Sequence, residues 1–171
     1  MRNTEEGFSL IEFLIYVIIA SIILGVVFTL HMSIIQARLK NQAIAEGEQQ
    51  GQQVLQQIAQ AIRNAASLNA PGIGLTGSSL SLNTYSSSTS PTIFLTSGGV
   101  VTMQEGTGAP AALNSTQIVI SNLLFQNLSR VSNHATIRFS YTSTYNNPTN
   151  RTQNNFSKNF YGSAEIRGIY P

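Results

Sequence analysis

Neither cysteine nor aspartate occurs among the 171 residues, and each absence removes a kind of chemistry. Without cysteine there is no disulfide framework and no thiolate metal site. Without aspartate the usual triad acid, calcium ligand and phosphoryl-transfer carboxylate are missing. Charge of either sign is scarce, with nine Lys/Arg and seven acidic side chains, so Ser, Thr, Asn and Gln supply most of the polarity. The basic residues beyond the first few positions are scattered (Arg38, Lys40, Arg63, Arg130, Arg138, Arg151, Lys158, Arg167) and form no stripe or cluster. A dedicated nucleic-acid surface usually gathers its cations, so no specific nucleic-acid binding is expected. The only histidines, His31 and His134, are far apart in sequence.

What the chain does have is one long apolar run near its start. From Phe8 to Leu30 every residue is apolar or small except Glu12, and Gly25 is the one weak helix former. As a helix this run is roughly 34 Å long, slightly more than the ~30 Å hydrocarbon core of a bilayer. A removable signal peptide would have an apolar region of only ~7–15 residues ending at a small-x-small site. Here the first such site, Ala43-Ile44-Ala45, lies well beyond the run, so a membrane helix is the better reading. Glu12 then needs a reason to be there. A lone carboxylate in lipid is disfavoured by roughly 2.5–3.5 kcal/mol on insertion scales.

Residues 31–68 continue in helical style without proline. Val54, Leu55, Ile58, Ala61, Ile62, Ala65 and Leu68 recur at three- and four-residue steps, which predicts one apolar helix face opposite a glutamine-rich one. Gly47 and Gly51, one turn apart, are read as a soft point of that helix in preference to a close-packing site. Pro71-Gly72 stops it. Residues 69–171 carry the alternation of strands instead. Leu80-Ser81-Leu82 is one; Ile93–Leu95 and Val100–Met103 flank Ser97-Gly98-Gly99 as a hairpin. Residues 118–125, 135–142 and 156–167 supply the rest, with Ile137, Phe139 and Tyr141 on one side. The expected fold class is α+β: a long N-terminal helix, transmembrane and then amphipathic, packed on a small antiparallel sheet.

The junction Gly7-Phe8 with Glu12 resembles the processing site of type IV pilin-like proteins, and the helix-then-sheet order extends the likeness along the chain. The resemblance implies four parts: a leader at 1–7, a membrane and assembly helix at 8–30, an amphipathic continuation at 31–68 and a β-rich head at 69–171. It implies that a prepilin peptidase cuts after Gly7 and methylates the new amine of Phe8. It implies, too, that Glu12 serves assembly by pairing with the amine of a neighbouring subunit. The implied partners are that peptidase, other pilin or pseudopilin subunits with their assembly platform, and the cytoplasmic membrane. The implied location is a bacterial cytoplasmic membrane, crossed once with the amino end inside and the head outside, and later a surface or periplasmic filament. Gln49–Gln53, Ile62–Ala65, Pro71 and the Leu-Ser-Leu strand are similar to minor pilins of the W type and pseudopilins of the J type. Two features depart from the pattern. Glu5 and Glu6 stand where leaders are usually basic, and Arg38 and Lys40 after the run outnumber Arg2 before it, against the usual inside-positive orientation.

The physical chemistry of Glu12 agrees with that role. Four residues separate it from Phe8, so a new amine there and the carboxylate share a helix face, and a first-turn carboxylate meets the positive end of the helix dipole. No enzymatic activity is expected, and no cofactor. His134 with Glu105 or Glu165 has no Gly-x-Ser-x-Gly nucleophile beside it, and is read as a loop histidine. Four Asn-x-Ser/Thr sequons, at Asn114, Asn127, Asn150 and Asn155, are read as chance in an Asn- and Ser-rich chain. Tyr141, Tyr145, Phe156, Phe160 and Tyr161 are read as core packing before an adhesive patch. The alternative function is a membrane-anchored extracellular protein that binds a surface, DNA or a secreted substrate while using the same processing signal.

Overall fold

The computed structural model describes residues 9–130, 135–148 and 155–167. The chain divides at Leu39/Lys40 into two units, and one helix, α1 (Leu10–Asn64), contributes to both.

In the first unit, the described part of α1 is exposed at every residue, and from Leu10 to Leu30 Glu12 is the only charged one on an otherwise apolar surface. Its hydroxyls are turned back on the helix. Ser21 Oγ donates to Ile18 O at 2.8 Å, Thr29 Oγ1 to Val26 O at 2.8 Å and Ser33 Oγ to Thr29 O at 3.0 Å. A hydroxyl satisfied in this way demands no water, which suits a helix in apolar surroundings.

In the second unit α1 buries Ala43, Gly47, Gly51, Val54, Ile58, Ala59 and Ile62, spaced by threes and fours along one face. The helix stops at Asn64, four residues before the sequence-based end at Leu68. Ala66 N–H donates to Asn83 O, and Ser67–Ala70 forms β1, paired antiparallel with β3 (Leu80–Asn83). Strand pairing outweighs the helical periodicity of Ala65 and Leu68.

The strands form two sheets where one was expected. β1, β3, β4 (Thr92–Ser97), β5 (Val100–Glu105) and β6 (Ala111–Ala112) make a five-stranded sheet in the order β1-β3-β4-β5-β6. β2 (Thr76–Gly77), β7 (Ile118–Asn127), β8 (Thr136–Tyr145) and β9 (Ser157–Glu165) make a four-stranded one in the order β2-β7-β8-β9. All neighbours are antiparallel. The hairpin at Gly98 and Gly99 is as predicted, both glycines having positive φ (58° and 81°) that suit a tight two-residue turn. A single core joins Val54, Ile58 and Ile62 of α1 with Leu80, Phe94 and Val101 of one sheet and Phe125, Ile137 and Phe139 of the other.

Asn114 fastens the two sheets together. Its Oδ1 accepts Val101 N–H at 2.7 Å, while Nδ2 donates to Ile118 O at 2.6 Å and Gly99 O at 3.2 Å. Asn127 does similar work at the other end: its Nδ2 donates to Pro71 O at 2.9 Å and its Oδ1 accepts Ser129 N–H at 3.0 Å. Both side chains are buried, so these two sequons are occupied by structure; Asn155 is exposed and Asn150 lies outside the described residues.

Candidate functional site

Gly7, Phe8 and the rest of the leader lie outside the described residues, as does His134. Glu12 is described, in the first turn of α1. Ser9 O accepts the N–H groups of Glu12 (3.0 Å) and Phe13 (3.1 Å), which places Ser9 at the helix start and Glu12 three residues on. A carboxylate there faces the unpaired N–H groups and the positive dipole end. One turn later, Tyr16 OH donates to Glu12 Oε1 at 3.4 Å, a long contact on the same face. Around the pair the helix surface is apolar, with Leu10, Ile11, Phe13 and Ile15 each at least half exposed. Among the described residues from Leu10 to Leu30, Glu12 is thus the one charged group, in the first turn of an otherwise apolar surface.

In the head, Gly47 and Gly51 are neither soft nor solvent-facing. Both are buried, and a Cβ on either would collide with an aromatic ring, Phe156 at Gly47 and Phe160 at Gly51. The missing side chains let β8 reach the helix backbone. Tyr141 OH donates to Gly51 O at 2.5 Å and Ser143 Oγ to Gly47 O at 3.2 Å. Tyr141 also stacks on Phe160, ring centroids 5.5 Å apart at 14°. Burial pushes the Tyr141 phenol well above its ordinary value, an effect partly offset by the Leu55 backbone N–H, so the group stays a proton donor. The helical stripe Ala43-Gly47-Gly51-Val54-Ile58, stepping by four, four, three and four, carries the signal for this seat. Reading glycine as a helix softener hid it.

Elsewhere along α1, a groove of about 800 Å³ lies between the helix at Gln42–Gln53 and the segment 112–117. Gln50 bridges it, Oε1 accepting Ser115 N–H at 2.8 Å and Nε2 donating to Ser115 Oγ at 2.8 Å. The bridge holds the segment on the helix. Lys158 and Glu48 add an exposed ion pair at 2.6 Å, worth little in stability at such exposure. Among the described residues no three His or Glu side chains come together as a metal site.

Of the five aromatic residues singled out above, Tyr141 and Phe160 are core, Phe156 covers Gly47, Tyr145 packs at the core's margin, and Tyr161 stands 70 % exposed.

Residues 2–28 match the family described as the prokaryotic N-terminal methylation motif. The chain therefore carries a type IV pilin-like prepilin signal, that of a pilin- or pseudopilin-type substrate. With the α+β layout of one long apolar helix and antiparallel sheets, it fits a membrane-anchored, single-pass protein. The match ends at residue 28, leaving the head outside it. Neither a curated protein nor a solved structure matches the chain.

Proposed function

We propose that this protein is a non-enzymatic filament subunit, a minor pilin or pseudopilin of a type IV pilus or a type II secretion pseudopilus. Prepilin peptidase cuts it between Gly7 and Phe8 and methylates the amine of Phe8. The helix from Phe8 to Leu30 first anchors it in the cytoplasmic membrane, amino end inside and head outside. Assembly then moves that helix from lipid into a core of neighbouring apolar helices, with Glu12 pairing with the amine of another subunit. Residues 31–68 carry the chain into the head, and residues 69–171 complete it.

The observation that carries this reading is the methylation motif at 2–28, whose residues from Leu10 onward lie on α1, where from Leu10 to Leu30 the exposed apolar surface is interrupted by one charged residue, Glu12. An apolar surface of this extent calls for lipid or other apolar helices. The test is co-expression with a prepilin peptidase followed by intact-mass spectrometry. The expected product lacks residues 1–7 and begins with N-methyl-Phe8; a mature protein that retains Met1 rules the reading out.

A further inference from the structure

The outward face of the four-stranded sheet holds a small dimple in which every lining side chain is uncharged. Asn122, Ser140, Thr142, Asn159 and Tyr161 bring their side chains to it, around about 170 Å³, while Tyr141, whose ring turns into the core on the other face, borders it between Ser140 and Thr142. We propose that this dimple is a binding site for a neutral saccharide, one pyranose ring deep, and that the head has a lectin-like capacity independent of how the protein is processed or assembled.

Strand register builds the dimple. Ser140 on β8 lies between Leu124 on β7 and Tyr161 on β9, so a small residue separates a 45 % exposed leucine from a 70 % exposed tyrosine. The next row is Ser121, Thr142 and Asn159, all polar and neutral. A large aromatic left this exposed amid hydroxyls and amides is the informative departure from an ordinary solvated sheet face. Its ring gives an apolar surface for the C–H face of a sugar, while the amides and hydroxyls beside it match alternating sugar hydroxyls as donors and acceptors.

Two details pre-form the polar side. Thr142 Oγ1 donates to Asn159 Oδ1 at 2.8 Å, which fixes the amide and leaves its NH2 group as a donor. Asn122 is the only described non-glycine residue with positive φ (54°), at the bulge where β7 slips register against β8 between Ser121 and Leu124. Bulges of this kind re-aim a side chain, and Asn tolerates the left-handed conformation better than most residues. The bulge brings an exposed amide to the rim that a regular strand would place elsewhere.

Size and charge choose the ligand class. The volume is that of about six waters, one sugar ring more nearly than a nucleotide or a folded peptide segment. With no cation or carboxylate in the lining, neither an anionic nor a cationic ligand is matched by charge. A shallow site for so few atoms gives a Kd on the order of millimolar.

The experiment uses the full chain in a zwitterionic detergent without sugar headgroups. Saturation-transfer NMR is run with methyl β-glucoside, methyl β-galactoside, methyl α-mannoside and N-acetylglucosamine, and with N-acetylneuraminate as the charged arm. At least one neutral sugar is expected to bind, with affinity lowered at least tenfold in both Tyr161→Ala and Asn122→Gly. The glycine keeps the bulge backbone accessible while removing the amide, and far-UV circular dichroism checks that both variants are folded. If no neutral sugar binds, if both folded variants bind as wild type, or if only N-acetylneuraminate binds, the proposal is overturned.

Discussion

Tyr141 shows how much one side chain can fix in this head. Its ring packs against Phe160 and its hydroxyl donates to the second lone pair of a buried helix carbonyl, Gly51 O, which also serves the helix's own hydrogen bonding. Because that carbonyl keeps a partner when the phenol is removed, Tyr141→Phe should cost only about 0.5–1.5 kcal/mol in urea denaturation of the full chain. The pH dependence has a definite sign. Burial raises the phenol's pKa in the native state, so that state holds its proton where the unfolded chain, titrating near 10, begins to lose it. The contribution is complete below pH ~10 and declines as pH rises beyond it, toward the raised native value. Tyr141→Phe should flatten that alkaline decline; an unchanged alkaline limb would show that other groups cause it. The asparagines give the opposite lesson about single residues. Asn114 and Asn127 stand in sequons that suit surface loops, yet each is buried and hydrogen-bonded to backbone groups distant from it in sequence. A tripeptide pattern says nothing about burial, so their role as fasteners was not legible.

Among the elements, α1 and the long strands were the most readable. β4, β5, β7, β8 and β9 carry enough alternating apolar residues to declare themselves, and the Gly98-Gly99 turn fixes one hairpin. β2 and β6 have two residues each, too few for any period, and alternation within strands does not say which strands pair, so two sheets were read as one. The end of α1 was misplaced because Ala65 and Leu68 suit a helix face and a strand alike, and only the pairing with β3 decides between them. The glycine seat also belongs to this scale. Gly51→Ala places a methyl group against the buried Phe160 ring, where overpacking typically costs 1–3 kcal/mol and outweighs a gain of about 1 kcal/mol in helix propensity. The full chain should therefore melt several degrees lower with Gly51→Ala. Gly25→Ala meets nothing within 4 Å and should leave the head's melting temperature unchanged. Equal effects from the two substitutions would contradict the close-packing account.

For the molecule as a whole, the motif at 2–28 and the exposed apolar part of α1 bear on processing and membrane anchoring, and the head lies outside both. On the proposed function, Glu12→Ala should still insert into the membrane, since it removes a charge from an apolar run, but should enter filaments much less well than wild type. Membrane fractionation checks the first outcome, and shearing filaments from cells followed by immunoblotting checks the second. Wild-type incorporation would remove Glu12 from the assembly role. The processing signal was legible because it is a local arrangement of residue types. The dimple was not, because it depends on a bulge and on the register of three strands, and Tyr161 differs from core Phe160 only by one step along β9.

The seat of the glycines has a mechanical side. On the proposed function, a subunit held in a filament by its helix and pulled on by its head is loaded along the join between α1 and β8–β9. That join is keyed: two aromatic rings sit in notches at Gly47 and Gly51, and sliding the helix by one residue in either direction brings a side-chain-bearing residue, Glu46, Glu48, Gln50 or Gln52, under them. Slippage must therefore lift the rings out together with two hydrogen bonds, so traction meets a toothed interface where a smooth apolar one would creep.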